Sequence, residues 1–494
     1  MPYEALYEGT APGRPIDLHS IGEFLRCSMG LSAWKQYGAS RWPLRVNPSS
    51  GNLHPTETYI VWDGRVCHYA AREHALETRT FSDAARTLSD AARTFTVRES
   101  SFLVGLTSIH WREAWKYGER AFRYCQHDAG HAIGALRLSA AMLGWRLALL
   151  PGWSDDDIAA VLGTDRDGDF EGAERENPDC IAVVTAGDSA LVLADDPAPW
   201  VEVARSAAWQ GRANRLSPDH VDWPVIEEVA AATRCPGDQS NRYPGSHSHR
   251  CGADLYGPRE SRGAQGPAPH RAEHRGAARD IIIQRRSALA FDPNAAPLRR
   301  DLFFSMLERL QPGAPPWDAI DGPPHVHLAL FVHRVEGVVP GVYAYLRDPA
   351  VLAEWKLAMR PEFLWEQVDG SQLFLLVPID CRSMANRVSC DQDIAADGFF
   401  SLGMIARFEA PLREHGDWMY RRLFWESGLI GQVLYLEAEA AGARATGIGC
   451  YYDDPVHDLL GLSGRNWQSL YHVSMGMPVE DTRLTTEPGY AWEI

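Results

Sequence analysis

The 494-residue chain contains no apolar run near the roughly 18 residues that a membrane span requires, so an integral membrane protein is not expected. Positive charge is scarce. Against 65 acidic residues stand 48 Lys and Arg, a net charge of −17, which argues against nucleic acid or an anionic membrane as the main partner, since both need a basic face. The opening MPYEALYEGT has no basic stretch followed by an apolar core, so a secretory signal is not expected. Nine cysteines, an odd number without a CxxC pair, read as reduced thiols and point to the cytoplasm. What remains is the composition of an ordinary globular protein, 45% apolar and 23% charged, long enough for two to four domains with sizeable cores.

The most informative feature present is a repeat. The stretch Gly118–Gly163 aligns without a gap on Gly416–Gly461, and 12 of the 46 pairs are identical, among them Gly130/Gly428, Gly144/Gly442, Arg146/Arg444 and Asp155/Asp453. Random pairing of such compositions gives about three, so the chain holds two copies of one domain. Two copies in one chain suggest a fused homodimer, whose halves are free to specialise.

In the first copy, 57–64 (ETYIVWDG) and 180–187 (CIAVVTAG) have the β-branched, apolar character of strands. Between them, Phe122, Ala129, Ile133, Leu136, Ala140 and Leu143 recur at helical spacing and predict a long core helix over about 118–145. A second helix is expected over 155–163, opening on acids and closing on Gly163. In the other half, a helix is expected over 301–310 and strands over 327–335 and 373–379, ahead of the repeated block. Helices and short strands mixed in two copies point to an α+β, three-layer α/β architecture. The divisions read from the sequence are a first domain over 1–215, a largely flexible linker over 216–279, and a second domain over 280–494. The linker's 235–279 stretch is rich in Gly, Pro, Ser, His and Arg and has almost no apolar periodicity.

Four polar clusters carry chemical potential. In RVNPSSGNLHP (45–55), Pro48, Gly51 and Pro55 enforce an irregular turn, and Ser49, Ser50 and Asn52 offer short donors that can cradle a phosphate or the polar edge of a heteroaromatic ring. A plain surface turn fits the same residues. Arg285, Arg286 and Ser287 form a set suited to bidentate phosphate binding, or an ordinary surface pair. Lys116 and Tyr117 can act as proton acceptor and donor if buried, or form part of a helix-start ion pair. Their aligned residues are Glu414 and His415. Near the end, Arg483 follows a Gly-Met-Pro turn from which it can reach an anion.

Three metal-like patterns are set aside, and no metal is expected. His127 and His131 stand at i and i+4, but the second copy has Trp425 and Leu429 there, so helix packing accounts for them better than zinc. Asp165, Asp167, Asp169 and Glu176 fit a calcium loop except that Phe170 occupies the position needing glycine. His247, His249 and Cys251 read as solvated linker side chains.

Taken in order, PSSGNLHP (48–55), WKYGERAFRY and GHAIGALRLSAAMLGW (115–145), QRRSALAF (284–291), RVEGVVPGVYAY (334–345) and LYLEAEAAGARATGIGCYYDD (434–454) resemble the nitroreductase-fold FMN flavoprotein superfamily, and within it the SagB-type dehydrogenases, which include azoline oxidases. The resemblance implies two tandem nitroreductase-like domains forming an intrachain pseudo-dimer, with FMN at their interface. It assigns Arg285, Arg286, Ser287 and Arg483 to the phosphate, Pro48, Ser49, Ser50 and Asn52 to the isoalloxazine, and the backbone of Gly447 and Gly449 to the ring's surroundings. It makes Lys116 and Tyr117 the catalytic proton-handling pair. The first half has no RRS element and the second has GPPHVHLALFV (322–332) in place of the PSS turn, so one FMN per chain is expected. The implied activity is an FMN-dependent two-electron oxidation with hydride transfer to the flavin, as in azoline to azole conversion in a peptide or natural product, with a partner modification enzyme possible. The rival readings are an NAD(P)H-dependent nitro or quinone reductase and a flavin-free interaction module of a peptide-modification complex. A pseudo-dimeric monomer, open to further oligomerisation, is expected.

Overall fold

The computed structural model describes residues 1–9, 11–80, 101–186, 196–237 and 276–493. The linker histidines and Cys251 lie outside the described residues.

Two 22-residue helices, Ala121–Met142 and Met419–Ala440, form the centre. Both are buried nearly all round, polar side chains such as Asp128 and Glu426 included. They cross where the repeat put its paired glycines. A Cβ on Gly130 would stand 2.2 Å from the Trp425 carbonyl oxygen, and one on Gly428 2.2 Å from that of His127, so each backbone fills the space that the other's missing side chain leaves. The helix Asp155–Leu162 opens on a capping box between Ser154 and Asp157 and ends at Gly163 in the left-handed region.

Around these helices lie three sheets. In the first half, β1 (Leu31–Tyr37), β2 (Ser40–Arg45), β3 (Thr56–Trp62), β4 (Arg65–Ala70), β5 (Ala75–Thr78), β6 (Ser101–Ser108), β7 (Trp145–Leu149) and β8 (Asn177–Ala186) include a six-stranded sheet ordered β5-β4-β3-β6-β8-β7. The second half has β9 (Val326–Val332), β10 (Gly341–Tyr345), β11 (Glu366–Gln367), β12 (Leu373–Pro378), β13 (Phe400–Arg407), β14 (Arg444–Ile448) and β15 (Trp467–Gly476), ordered β11-β12-β10-β9-β13-β15-β14. The shared middle of the two orders, with antiparallel neighbours throughout, extends the duplication beyond the repeated stretch, which contains only β7 and β14 of these strands.

The halves also exchange their ends. The last strand, β16 (Thr485–Pro488), pairs with β1 of the first half, and the Met1 carbonyl accepts a hydrogen bond from the Ala278 amide at 3.0 Å. A buried ion pair, Arg421 to Asp155 at 2.7 Å, fastens one copy's central helix to the other copy's capped helix. Within the stretch expected as linker, Pro224–Ala232 is helical and buries Ile226 against Phe122 and Ala121. The architecture is α+β, with two tandem copies forming a pseudo-dimer within one chain.

Candidate cofactor site

A cavity of about 510 Å³ opens between the halves, a size typical of small-molecule sites. It brings together most residues that the sequence singled out. Pro48, Ser49, Ser50 and Asn52 line one wall, and Arg285, Arg286 and Ser287 line another. Gly447, Gly449 and Tyr117 complete the set.

The turn owes its shape to short side chains answering backbone groups. Ser49 Oγ accepts from the His54 amide at 2.8 Å, and Asn52 donates to the Pro43 carbonyl at 2.9 Å. Gly51, Asn52 and His54 all have positive φ, at 59°, 60° and 52°. At Gly51 the left-handed backbone comes with crowding. A Cβ there would lie 2.4 Å from the Tyr117 hydroxyl and 2.8 Å from Lys116 Nζ. The turn therefore rests directly on both groups, although Lys116 itself is exposed. Beneath the turn, Asp128 of the first central helix accepts from the Ser50 amide at 3.0 Å and lies 3.3 Å from its hydroxyl.

Tyr117 ends the short helix Trp111–Tyr117, and its ring meets Tyr124 edge-on at 4.7 Å. Partial burial and the nearby carboxyls of Glu113 and Asp128 push its pKa up to about 12. The group is a phenol, not a phenolate, at neutral pH.

The opposite wall is rich in cations. Lys35, Arg45, Arg285, Arg286 and Arg444 line the cavity, with Glu480 and Asp481 as the acids among them. Arg285 is buried and donates to the carbonyls of Val46 and Arg45, both at 3.0 Å, so it ties the second half to the first half's turn. Arg286 donates to the carbonyls of Ile283 and Arg285 at 2.7 Å and of Ser32 at 3.1 Å. Desolvation and then the Arg285 charge pull its pKa down to about 10. Guanidinium groups packed this closely raise one another's energy, and an anion between them relieves it. Ser287 Oγ lies 3.0 Å from the Tyr435 hydroxyl, which accepts from the Gly447 amide at 2.7 Å.

Arg483 does not line the cavity. Its guanidinium is 71% exposed and grips Asp481 through two contacts of 2.8 Å. Arg444 reaches the cavity and pairs with Glu480 at 2.7 Å. Sequence reasoning had seen Arg444 only as one of the repeat's identities. Its place three residues before the glycine-bearing stretch 447–449 was the available signal. Tyr435, Tyr471, His131 and Lys35 were also missed as lining residues. His131 lies 3.2 Å from the Tyr471 hydroxyl, and the His127 ring stacks on Tyr471 at 4.2 Å.

The pseudo-symmetric position is filled. Leu149 and Pro151 stand where the second copy has Gly447 and Gly449, and Trp153, Trp418 and Trp425 close around a residual cavity of about 30 Å³. His415, in the place of Tyr117, is buried, while Glu414, in the place of Lys116, is 66% exposed.

Residues 14–173 match the model of the Nitroreductase family. A putative nitroreductase from Anabaena variabilis is similar over nearly the whole chain, with 20% identity and a TM-score of 0.64, covering 93% of this chain and 88% of that one. Two solved structures match over shorter spans. The Escherichia coli microcin synthetase McbBCD complex with truncated pro-MccB17 bound is 15% identical over 37% of this chain and 67% of that one, with a TM-score of 0.27. A putative nitroreductase in complex with FMN from Exiguobacterium sibiricum is 13% identical over 42% of this chain and 92% of that one, with a TM-score of 0.25. No curated protein matches the chain. No helix among the described residues is long and apolar enough to cross a membrane. Residues 14–173 are thus similar to the Nitroreductase family, and the chain has a nitroreductase fold built as two tandem domains that pair as an intrachain pseudo-dimer.

Proposed function

We propose that this chain is an FMN-dependent oxidoreductase of the SagB type, with one FMN per chain, that oxidises its substrate by two electrons. The observation that carries this reading is the composite cavity of about 510 Å³, with Arg285, Arg286 and Arg444 from the second half facing the Ser49–Asn52 turn and Tyr117 of the first, which adds Lys35 and Arg45 to the cationic wall. The donor set suits a phosphate-bearing aromatic ligand. Arg285, Arg286, Ser287, Arg444 and Lys35 would hold the phosphate. Pro48, Ser49, Ser50, Asn52 and the backbone of Gly447 and Gly449 would border the ring system. Bound FMN supplies the two-electron acceptor for a hydride.

The chain's own residues handle the proton. With its pKa at about 12, Tyr117 is a phenol that donates a hydrogen bond to the substrate. Lys116 Nζ lies over the Tyr117 ring at 5.1 Å and is the member of the pair that takes the proton the oxidation releases. An azoline in a peptide or natural product, delivered alone or by a partner modification enzyme, is the substrate class we favour, because its conversion to an azole removes one hydride and one proton. The division into a first domain over 1–215, a linker over 216–279 and a second domain over 280–494 belongs to the same reading. So does an essentially empty chemistry at the mirror position, where the residual cavity is about 30 Å³.

The test is the flavin released per chain on denaturation, followed by turnover of azoline-bearing peptides. One equivalent of FMN supports the reading, and two or none would overturn it. NADPH-driven nitro or quinone reduction that survives replacement of both Lys116 and Tyr117 would favour the reductase instead.

A further inference from the structure

The first central helix carries Asp128 under the turn, and the aligned residue of the second copy is Glu426. The two carboxyls occupy equivalent positions and are treated in opposite ways. Glu426 accepts from the amides of His325 and Val326 at 3.0 and 3.3 Å and forms a buried ion pair with Arg347, whose guanidinium stacks on Trp317 at 4.0 Å. Asp128 also accepts from a turn amide, that of Ser50, but no ion pair with a cation holds it. It is 1% exposed, the Ser49 hydroxyl helps that of Ser50 to steady its charged form, and its Oδ2 has no partner of hydrogen-bond geometry among the described residues. Facing it are Glu113 from the Trp111–Tyr117 helix, Tyr117 itself, Cys125 on its own helix, Tyr471 from β15 and the more distant Arg45 from β2.

Glu113 is more extreme. It is 0% exposed, and neither carboxylate oxygen has a hydrogen-bond partner among the described residues. The groups acting on it are Asp128, Lys116, Tyr117 and Cys125. A carboxylate stripped of water and given no partner is far costlier than the neutral acid, and two carboxylates sharing one dry site cannot both ionise cheaply. The pair therefore holds at least one proton, next to a cavity where the proposed chemistry releases one.

We propose that Asp128, backed by a neutral Glu113, is the proton store behind the Ser49–Gly51 turn and exchanges its proton with the cavity through the Ser50 hydroxyl. This deepens the functional reading above and rests on it only for the identity of the reaction. A proton freed in the cavity passes to Ser50 Oγ as that hydroxyl hands its own proton to Asp128 Oδ1, so the carboxylate becomes an acid and the hydroxyl is restored. Asp128 acts through Ser50 and is a positioning residue. In the mirror half Glu426 is instead ion-paired with Arg347. Burial supports the assignment, since it raises Asp128 to about 7 and Glu113 to about 10.

The experiment is infrared spectroscopy of the carboxylic C=O band in the full chain, without substrate, titrated from pH 5 to 9, on wild type, D128N, E113Q and S50A. The proposal expects one band that titrates near neutrality and is lost in D128N, and a second that persists to high pH and is lost in E113Q, with both kept in S50A. It also expects the pH profile of turnover to lose its near-neutral limb in both D128N and S50A. A wild type with no protonated carboxyl at pH 6, or a pH profile that neither variant moves, would overturn it. Should D128N fail to fold, S50A and the wild-type titration still decide. The band requires neither flavin nor turnover, so a chain without FMN would sink the functional reading and leave the proton store intact.

Discussion

Gly51 sits against Tyr117 so closely that a single added methyl at Gly51 would fall 2.4 Å from the phenol oxygen. The turn and the proton-handling pair are thus one packed unit, and the position joins two penalties. At φ 59° any other residue costs about 1 kcal/mol in backbone energy, and the methyl must also displace the Tyr117 hydroxyl or Lys116 Nζ. Gly51→Ala is expected to lower the melting temperature by a few degrees and turnover by at least about tenfold, while the flavin content is retained. Thermal melts and steady-state assays on the same preparation check both.

Tyr117→Phe removes one hydroxyl from the cavity wall and leaves the edge-on contact with Tyr124. Loss of one member of the proton-handling pair lowers turnover about 10²- to 10⁴-fold. Flavin content and stability are expected to stay near wild type, because the ring's packing is unchanged. Flavin loss on this substitution would mean that Tyr117 holds the cofactor and does not serve the proton.

Much of this was legible in the chain. The gap-free alignment already paired Gly130 with Gly428, and these glycines are where the central helices cross. The cavity's two walls were legible as local runs, PSSGN and RRS, because the residues of each run act together. What escaped depends on contacts between distant segments. Asp128 lies inside a run that reads as helix packing, and its meaning comes from Ser50, 78 positions away. Arg444 and Arg483 both lie near the end, and only the pairing of β14 with β15 and the Asp481 grip decide which one reaches the cavity.

The helix crossing makes its own prediction. Gly130→Val places its side chain against the Trp425 backbone, which cannot move aside as a flexible side chain can. Overpacking of this kind costs about 1–3 kcal/mol. Because the cavity forms between the halves, flavin affinity is expected to fall together with stability. Urea unfolding and flavin titration measure the two, and a loss of stability without any loss of flavin would separate the crossing from the site.

Asp128 also gives stability a pH dependence of definite sign. Its pKa rises on folding from 3.8 to about 7, chiefly through desolvation, so the folded chain binds more protons than the unfolded chain across that interval. This contribution is full below about pH 4, declines as pH rises and is gone above about 7. At about 1.4 kcal/mol per pKa unit the change is on the order of 4 kcal/mol. Asp128→Asn keeps an acceptor for the Ser50 amide and cannot ionise. The variant is therefore expected to be more stable than wild type at pH 8 and to lose the advantage steadily as the pH falls to about 4, read from urea midpoints at each pH.

The mirror half offers the opposite case. Arg347 and Glu426 are 2% and 6% exposed in their side chains, so each neutralises a charge that has almost no water. Arg347→Met leaves Glu426 buried with two backbone amides and no cation, and breaking such a pair costs about 3–5 kcal/mol. Adding Glu426→Gln removes the stranded charge and is expected to restore most of the loss. Neither change touches the cavity, so flavin content and turnover of the folded protein should hold. Were R347M to abolish flavin binding while the chain stayed folded, the filled half would be more than a scaffold, and the asymmetry on which a single site rests would fail.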